Sequence, residues 1–197
     1  MISLKDKLKE KKIILASGSP RRQFLLKELG IEFDVEVRET EENHPPHLDA
    51  RETVLYLSLL KSLAFDSSEL NDNTLLITAD TVVSVDEKLI GKPGGREQAI
   101  KALQAISGKK HVVTTGVCLR SIVKTHQFFT ETDVYFKELS QEEIEYYVDH
   151  YHPYDKAGAY GIQEWIGYIG IEKINGSFYN VMGLPVKALY EELYSFF

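Results

Sequence analysis

The run Thr74–Val85 constrains the fold of this 197-residue chain more than any other stretch. Leu75–Ile77 is an apolar block without polar alternation, and β-branched residues continue the run to its end. An unbroken apolar block is typical of a strand that is covered on both faces of its sheet. Asp80 stands in the middle of this strand, where an ionised carboxylate is costly unless it is paired, binds a metal or faces a cleft. We predict a buried strand with a functional Asp80, and a structural salt bridge is the alternative.

A second stretch, Ser17–Arg22, has the sequence SGSPRR and follows the apolar run Ile13–Ala16. The pattern predicts a strand, a loop and then a helix, with Ser19 as the N-cap, Pro20 in the first helical position and Gly30 at the end. A helix N-terminus and two arginine side chains suit phosphate oxygens. A well-capped helix with two solvated arginines explains the stretch equally well, so it favours neither interpretation by itself.

The composition indicates a globular protein, because 43% of the residues are hydrophobic and 27% are charged. We expect one compact domain over residues 1–197. The 30 acidic residues outnumber the 23 basic ones and give a formal net charge of −7. This charge disfavours a stable nucleic-acid complex, since such affinity comes from neutralising phosphates. The single cysteine, Cys118, excludes a disulfide within the chain and is expected to be buried.

The N-terminal stretch Met1–Lys12 is rich in lysine and lacks the apolar core of a signal peptide. No apolar run of the sequence approaches membrane-spanning length. We therefore expect a cytoplasmic protein without membrane contact.

The remaining elements follow from hydrophobic periodicity and from helix and turn signals. Val54, Leu57 and Lys61 share one face of a predicted helix over Leu48–Phe65. The lysine either snorkels, which we favour, or points into a site. The other predicted elements are a half-buried strand through Phe33, Val35 and Val37, a helix over Arg96–Ile106, strands over His111–Leu119 and Gln127–Phe136, a helix opened by a capping box at Ser140, a β-hairpin of Ile169–Ile174 and Phe178–Val181 with its turn at Asn175-Gly176, and a final helix with Tyr190, Leu193 and Phe197 on its apolar side.

The segment Tyr154–Gln163 differs in kind from these elements. Its small residues let a backbone approach closely, while polar side chains such as Lys156 and Gln163 can contact a ligand. A mobile surface loop is the alternative. The histidines of the chain form no recognised zinc pattern.

Charged residues at strand ends, loops and helix starts suit a metal-bound polyphosphate. Cations hold phosphates, and carboxylates hold a divalent metal. Residue types alone leave open which phosphorus is attacked, and the convergence of these residues in space is an expectation. The cations are Arg21, Arg22, Lys61, Lys92 and Lys156, and the anions are Glu41, Glu42 and Asp80.

Taken together and in order, these motifs resemble the Maf family of nucleoside triphosphate pyrophosphatases over nearly the whole chain. Their combination at compatible spacings is far more specific than any one of them. The matching segments are Ser17–Arg22, Glu42, Lys61, Ala79–Val83, Gly91–Pro93, Asp155–Gln163 and Asn180–Pro185.

The resemblance implies an α/β fold with an elongated central mixed β-sheet flanked by helices. It also implies two lobes around a nucleotide-binding cleft, as in Maf and ITPase-like proteins, and a homodimer. The implied reaction converts a nucleoside triphosphate and water to the nucleoside monophosphate and pyrophosphate.

The resemblance also assigns roles to residues of the implied site. Asp80 would accept the proton of the water that attacks the α-phosphorus, and Glu42 and Asp80 would share a divalent cation such as Mg²⁺, Mn²⁺ or Co²⁺. Arg22, Lys61 and Lys92 would hold the phosphates, and Ser17 would add a phosphate or metal contact. Lys156 is a further candidate for substrate binding from the residue types of the segment Tyr154–Gln163, not from the resemblance.

The resemblance also implies a substrate preference. Arg21, Thr81 and Gln163 match positions that distinguish subfamilies, and together they resemble the branch acting on dTTP and UTP. Gln163 can offer both an acceptor and donors to a pyrimidine edge. Two residues depart from the family pattern: Glu164 replaces a usual glycine beside the base pocket, and Ser62 replaces a usual alanine at a packing position.

Three functions remain open at this stage. The first is a dTTP/UTP pyrophosphatase, and the second is a nucleotide-binding regulatory protein linked to septum formation with little catalysis. The third is a phosphatase that releases the γ-phosphate and leaves a nucleoside diphosphate. The presence of Asp80, Lys61 and Lys92 favours catalysis.

Overall fold

The computed structural model describes residues 4–196 and is a mixed α/β structure. Two short 3₁₀ turns, at Ser67–Glu69 and Ala157–Ala159, complement the helices. The helices are α1 (Leu4–Leu8), α2 (Pro20–Glu28), α3 (Ala50–Leu63), α4 (Arg96–Ile106), α5 (Gln141–Tyr151), α6 (Trp165–Gly170), α7 (Phe178–Met182) and α8 (Val186–Phe196). The strands are β1 (Lys12–Leu15), β2 (Asp34–Val35), β3 (Thr74–Val85), β4 (Lys88–Ile90), β5 (Lys110–Arg120), β6 (Thr125–Phe136) and β7 (Ile171–Asn175).

Within residues 4–196 the strands form one seven-stranded sheet in the order β2-β1-β3-β5-β6-β7, and β4 pairs with β3. Strand β1 runs parallel to β2 and β3, with Ile14 opposite Leu76. Strands β4 and β7 run antiparallel to β3 and β6. The prediction of a mixed sheet flanked by helices is confirmed.

The described chain divides into two compact units. The first unit comprises residues 4–80, 115–130 and 183–196, and the second comprises Thr81–Thr114 and Glu131–Met182. Strands β3, β5 and β6 contribute residues to both units. The single domain over residues 1–197 stays a prediction, and residues 1–3 and 197 lie outside the described part. No helix of residues 4–196 is long and apolar enough to cross a membrane.

The core of the first unit is built around β3, whose bounds match the predicted strand. Leu75–Ile77 is fully buried, which confirms the prediction of a strand covered on both faces. Helix α3 lies against this strand, because the Thr78 hydroxyl donates to the Ser58 carbonyl at 2.6 Å. Cys118 is buried as predicted, and burial raises the pKa of its thiol.

Two apolar patterns in the first unit predicted buried side chains that are exposed in the structure. Strand β2 is only two residues long, and both Val35 and Val37 are exposed. Because β2 is an edge strand that pairs only with β1, much of its surface has no neighbouring strand. In α8, Leu193 is buried but Tyr190 is 43% exposed. Phe197 lies outside the described residues.

The predicted hairpin of Ile169–Ile174 and Phe178–Val181 is wrong in its second half, and its first two residues belong to α6. Strand β7 pairs with β6, and residues 178–182 form helix α7. Side-chain hydrogen bonds explain the helix. Within the second unit, the buried Asn180 amide donates to the Val113 carbonyl and to Thr132 Oγ1, both at 3.0 Å. Thr132 Oγ1 also accepts from the Ser177 amide at 3.0 Å, so these bonds hold the turn against two strands.

A buried aromatic cluster occupies the second unit. His111 is fully buried, and its Nε2 lies 2.8 Å from the Tyr160 hydroxyl. The His111 ring makes edge-to-face contacts with Phe136 and Tyr160, at centroid distances of 5.1 and 5.3 Å. Desolvation lowers the pKa of His111 from 6.5 to about 4. The neutral imidazole is therefore the form that suits the folded protein.

This depressed pKa predicts a specific loss of stability in acid. Above pH 6.5 His111 is neutral in both states, so it costs nothing; between pH 6.5 and 4 the unfolded chain takes up a proton that the folded chain excludes. The free energy of unfolding should fall by up to about 3 kcal/mol across this window. Urea unfolding from pH 4 to pH 7 measures it. His111→Gln, which keeps a partner for Tyr160, should flatten the dependence, and an unchanged slope would refute the assignment.

Candidate active site

Helix α3 carries Lys61 into the candidate site. The helix begins with a capping box, in which Asp49 accepts from the Glu52 amide at 2.8 Å and the Glu52 carboxylate accepts from the Asp49 amide at 3.0 Å. Val54 and Leu57 are buried on the core side, and Lys61 follows Leu57 by one turn on the same face. The helix therefore places the Lys61 ammonium group at the end of its buried face.

Lys61 bridges two carboxylates. Its Nζ lies 2.5 Å from Asp80 Oδ1 and 2.7 Å from Glu42 Oε1. The Lys61 side chain is 16% exposed and that of Asp80 only 7%. The favoured prediction that Lys61 snorkels is therefore wrong, because the lysine points at the carboxylates. Solvent screens the contact of Lys61 with the buried Asp80 poorly, so this contact is stronger than a surface ion pair.

Arg22 makes hydrogen bonds to three segments of the first unit: the loop before α2, strand β3 and the residues before α8. Its Nε donates to the Gly183 carbonyl at 2.8 Å, and its Nη1 donates to the Ala79 carbonyl at 2.7 Å and contacts Ser17 Oγ at 3.4 Å. Desolvation lowers the pKa of Arg22, although the negative charge of Asp80 opposes this effect. The guanidinium thus holds the backbone next to Asp80 close to the start of α2.

The start of α2 follows the predicted strand, loop and helix pattern. Ser19 occupies the N-cap position with Pro20 after it, and Gly30 has a φ of +70° beyond the helix end. Ser19 therefore holds the predicted N-cap position, although its side chain makes no capping bond. Instead, Ser17 Oγ accepts from the Ser19 amide at 3.3 Å. Arg21 stands beside Arg22 on α2, and its charge also lowers the pKa of Arg22.

The other four predicted site residues belong to the second unit. Thr81 follows Asp80 in β3, and Lys92 is exposed in the loop before α4. Lys156 is buried and lies 2.8 Å from Asp155 and 3.3 Å from Glu164. Gln163 Oε1 is buried and has no hydrogen-bond partner among the described residues. That these four residues converge with Ser17, Arg21, Arg22, Glu42, Lys61 and Asp80 stays a prediction.

The candidate site is also positioned by a residue that no local sequence pattern predicted. Arg120 is buried and donates to the carbonyls of Ser62 and Phe65, at 2.6 and 2.9 Å, at the end of α3. A cation at a helix C-terminus satisfies carbonyl groups that have no partner within the helix. An arginine at the end of an apolar strand run was the available signal, but its partners lie more than fifty residues away.

The residues present fit a hard divalent cation. Asp80 and Glu42 supply carboxylate oxygens that meet at one ammonium group. No group of three or more His, Cys, Asp or Glu side chains within residues 4–196 is arranged to hold a metal. Mg²⁺ is commonly held by one or two carboxylates together with substrate phosphates and water, so two carboxylates suffice for that ion.

Replacing Lys61 with methionine tests the bridge. The variant keeps the aliphatic stem but leaves Asp80 and Glu42 without their shared cation. For the triphosphate hydrolysis that the family resemblance implies, we expect kcat/KM to fall about 10²-fold. Steady-state kinetics with Mg²⁺ measure the effect, and the exposed Lys27→Met serves as the control. Activity within twofold of the unchanged protein in a folded Lys61→Met variant would remove Lys61 from the site.

Together these features define a mixed α/β protein in which a lysine joins the buried carboxylate of Asp80 to the exposed carboxylate of Glu42. The sequence profile of the Maf-like protein family matches residues 12–196. The chain belongs to this family.

Relatives of known name extend the comparison. The dTTP/UTP pyrophosphatase of Parabacteroides distasonis is 52% identical over 192 residues, which is 97% of this chain and 99% of that protein. The dTTP/UTP pyrophosphatase of Porphyromonas gingivalis is 51% identical over 193 residues, 97% of each chain. The structure of the Staphylococcus aureus Ham1 protein has a TM-score of 0.42 and 14% identity, covering 64% of this chain and 72% of that one. The sequence relatives, not this distant structure, bear on function.

Proposed function

We propose that this protein hydrolyses dTTP and UTP to the nucleoside monophosphate and pyrophosphate. The observation that carries the proposal is the contact of Lys61 with both Asp80 and Glu42. Relatives that are 51% and 52% identical over nearly their whole length bear the name dTTP/UTP pyrophosphatase, which supports the same chemistry in this chain.

Asp80 is the proton acceptor in this proposal. Its carboxylate takes a proton from water while the water oxygen bonds to the α-phosphorus. The bond from the α-phosphorus to the oxygen bridging the α- and β-phosphorus atoms breaks, and pyrophosphate leaves. Lys61 Nζ lies 2.5 Å from Asp80 Oδ1, and this contact limits the rotation of the carboxylate.

Cationic side chains offset the charge of the triphosphate and of the departing pyrophosphate. Lys61 and Arg22 supply this charge beside Asp80, and Ser17 adds a hydroxyl next to Arg22. Lys92 and Lys156 are proposed to contribute from the second unit. Arg21, Thr81 and Gln163 are proposed to select the pyrimidine.

A divalent cation, Mg²⁺ or else Mn²⁺ or Co²⁺, completes the proposal. Glu42 and Asp80 are the side chains that would hold it. When bound, it would neutralise phosphate charge and align the triphosphate. EDTA should end turnover, and added Mg²⁺ should restore it.

A panel of nucleoside triphosphates with Mg²⁺ tests the activity. Phosphate detected with malachite green after addition of inorganic pyrophosphatase should be highest for dTTP and UTP. Chromatography should show the monophosphate, whereas a diphosphate would indicate release of the γ-phosphate. If no triphosphate is turned over, the enzyme proposal fails. The regulatory alternative gains no support from the site, because Asp80, Lys61 and Glu42 are all present and in contact.

We also propose a homodimer in the cytoplasm. The support is the resemblance to the Maf family. Sedimentation equilibrium at several concentrations tests the oligomeric state, and cell fractionation tests the location. A monomer at micromolar concentration, or recovery outside the cytoplasm, would contradict the respective proposal.

A further inference from the structure

Glu164 has an unusual role for an acidic residue at the start of a helix. It holds the N-cap position of α6 with extended backbone angles, φ −102° and ψ 174°, but its side chain makes no capping bond. Its carboxylate instead accepts a hydrogen bond from the Tyr147 hydroxyl and lies 3.3 Å from Lys156 Nζ. The side chain thus turns back toward the preceding loop.

The Tyr147 hydroxyl links both ends of that loop. It accepts from the Gly161 amide at 3.0 Å and donates to the Glu164 carboxylate. The Glu164 amide also donates to the Gly161 carbonyl at 3.0 Å. A Cβ on Gly161 would stand 2.6 Å from the Glu164 carboxyl carbon, so only glycine leaves room for this arrangement. Hydrogen bonds thus join the two ends of the segment 161–164, which we call the closed segment.

Burial makes this arrangement rigid. Tyr147 is fully buried, the side chain of Lys156 is 9% exposed and that of Glu164 is 20% exposed. A buried polar group that loses its partner keeps its desolvation cost, so each member of the network depends on the others. Burial and the neighbouring Glu164 also raise the pKa of Tyr147, which keeps the phenol protonated as a donor.

Gln163 lies inside the closed segment. Its Oε1 is buried without a hydrogen-bond partner among residues 4–196, although a buried amide oxygen normally accepts a bond. The oxygen is therefore a fixed acceptor that suits a donor from a ligand. The ring N3–H of uracil and thymine is such a donor, whereas N3 of cytosine is itself an acceptor.

We propose that Glu164, Tyr147 and Lys156 are positioning residues that hold the Gln163 amide so that it selects uracil and thymine over cytosine. This inference rests on the proposed pyrophosphatase function and deepens it. It also assigns a function to Glu164, at a position where the family resemblance led us to expect glycine. Lys156 acts in this network by neutralising the Glu164 carboxylate, which would otherwise be a poorly solvated charge beside the segment.

Steady-state kinetics of the Glu164→Gln and Tyr147→Phe variants, with UTP and with CTP as substrate, test the proposal. Both variants are close in shape to the original residues, and the first removes the charge while the second removes the bridging hydroxyl. We expect KM for UTP to rise about tenfold with kcat within about twofold, and the preference for UTP over CTP to fall about tenfold. In the double variant the losses should not add, because the two residues share one hydrogen bond. The exposed Glu172→Gln is the matched control.

The outcomes separate this proposal from the proposed function. Equal losses for UTP and CTP would indicate a merely structural role, and an unchanged preference would also overturn the inference. If the protein without substitutions turns over no triphosphate, the proposed function fails. Calorimetric affinities for UTP and CTP in the same variants then decide the positioning role by the same change in preference. Thermal unfolding identifies a misfolded variant, and Tyr147→Phe provides the test if Glu164→Gln does not fold.

Discussion

Asp80→Asn should reduce kcat for UTP and dTTP by about 10³-fold, while the affinity for nucleotide changes only a few-fold. Asparagine has nearly the same shape, and its amide oxygen can still accept from Lys61 at the position of Asp80 Oδ1. The substitution therefore preserves the 2.5 Å contact but removes the group that takes up the proton. The loss should appear in kcat, because proton transfer belongs to the transition state.

Single-turnover kinetics and calorimetry with UTP separate the two effects of Asp80→Asn. Asp72→Asn, an exposed change in the turn before β3, is the control and should leave both quantities unchanged. Activity of a folded Asp80→Asn variant near that of the unchanged protein would remove Asp80 from the mechanism. Loss of nucleotide binding equal to the loss of kcat would instead assign Asp80 to binding.

Gly116→Ala should destabilise the protein by about 3 kcal/mol. A Cβ on Gly116 of β5 would lie 2.6 Å from the carbonyl carbon and oxygen of Val54 in α3, a distance that real Cβ atoms essentially never show. Backbone atoms cannot rotate away as a flexible side chain can. The helix that carries Lys61 would have to move from the sheet.

Urea unfolding at neutral pH measures the effect of Gly116→Ala. The matched control is Gly91→Ala, because a Cβ at Gly91 meets no atom within 4 Å. The control should unfold at nearly the same urea concentration as the unchanged protein. If both variants unfold alike, the close packing of β5 against α3 is not a determinant of stability.

Local patterns in the sequence predicted many elements with good bounds. The strand Thr74–Val85 and the helix Arg96–Ile106 match β3 and α4. The capping box at Ser140 is also confirmed, with Ser140 Oγ accepting from the Glu143 amide at 3.2 Å. These signals act between residues that are close in the chain, so the sequence contains both partners side by side.

Local patterns failed where distant residues compete with them. Asn175-Gly176 is a good turn signal, but the following residues form α7 because the Asn180 amide finds acceptors on Val113 and Thr132. The local pattern around Lys61 likewise failed to predict the partners of this side chain. The helical periodicity predicted the face on which Lys61 lies. Its contact with Asp80, however, depends on β3, because Asp80 is 19 residues further along the chain.

The sequence by itself determined the mixed α/β class and the buried strand around Asp80. The set of cations and carboxylates for a polyphosphate site stays a prediction. Only the tertiary structure decided the partners: Lys61 between Asp80 and Glu42, and Arg22 on the carbonyls of Ala79 and Gly183. Gly183 is 161 residues from Arg22 in the chain. Such pairs form because packing brings side chains together and burial makes an unpaired charge costly, and neither condition can be read from residues that are adjacent in sequence.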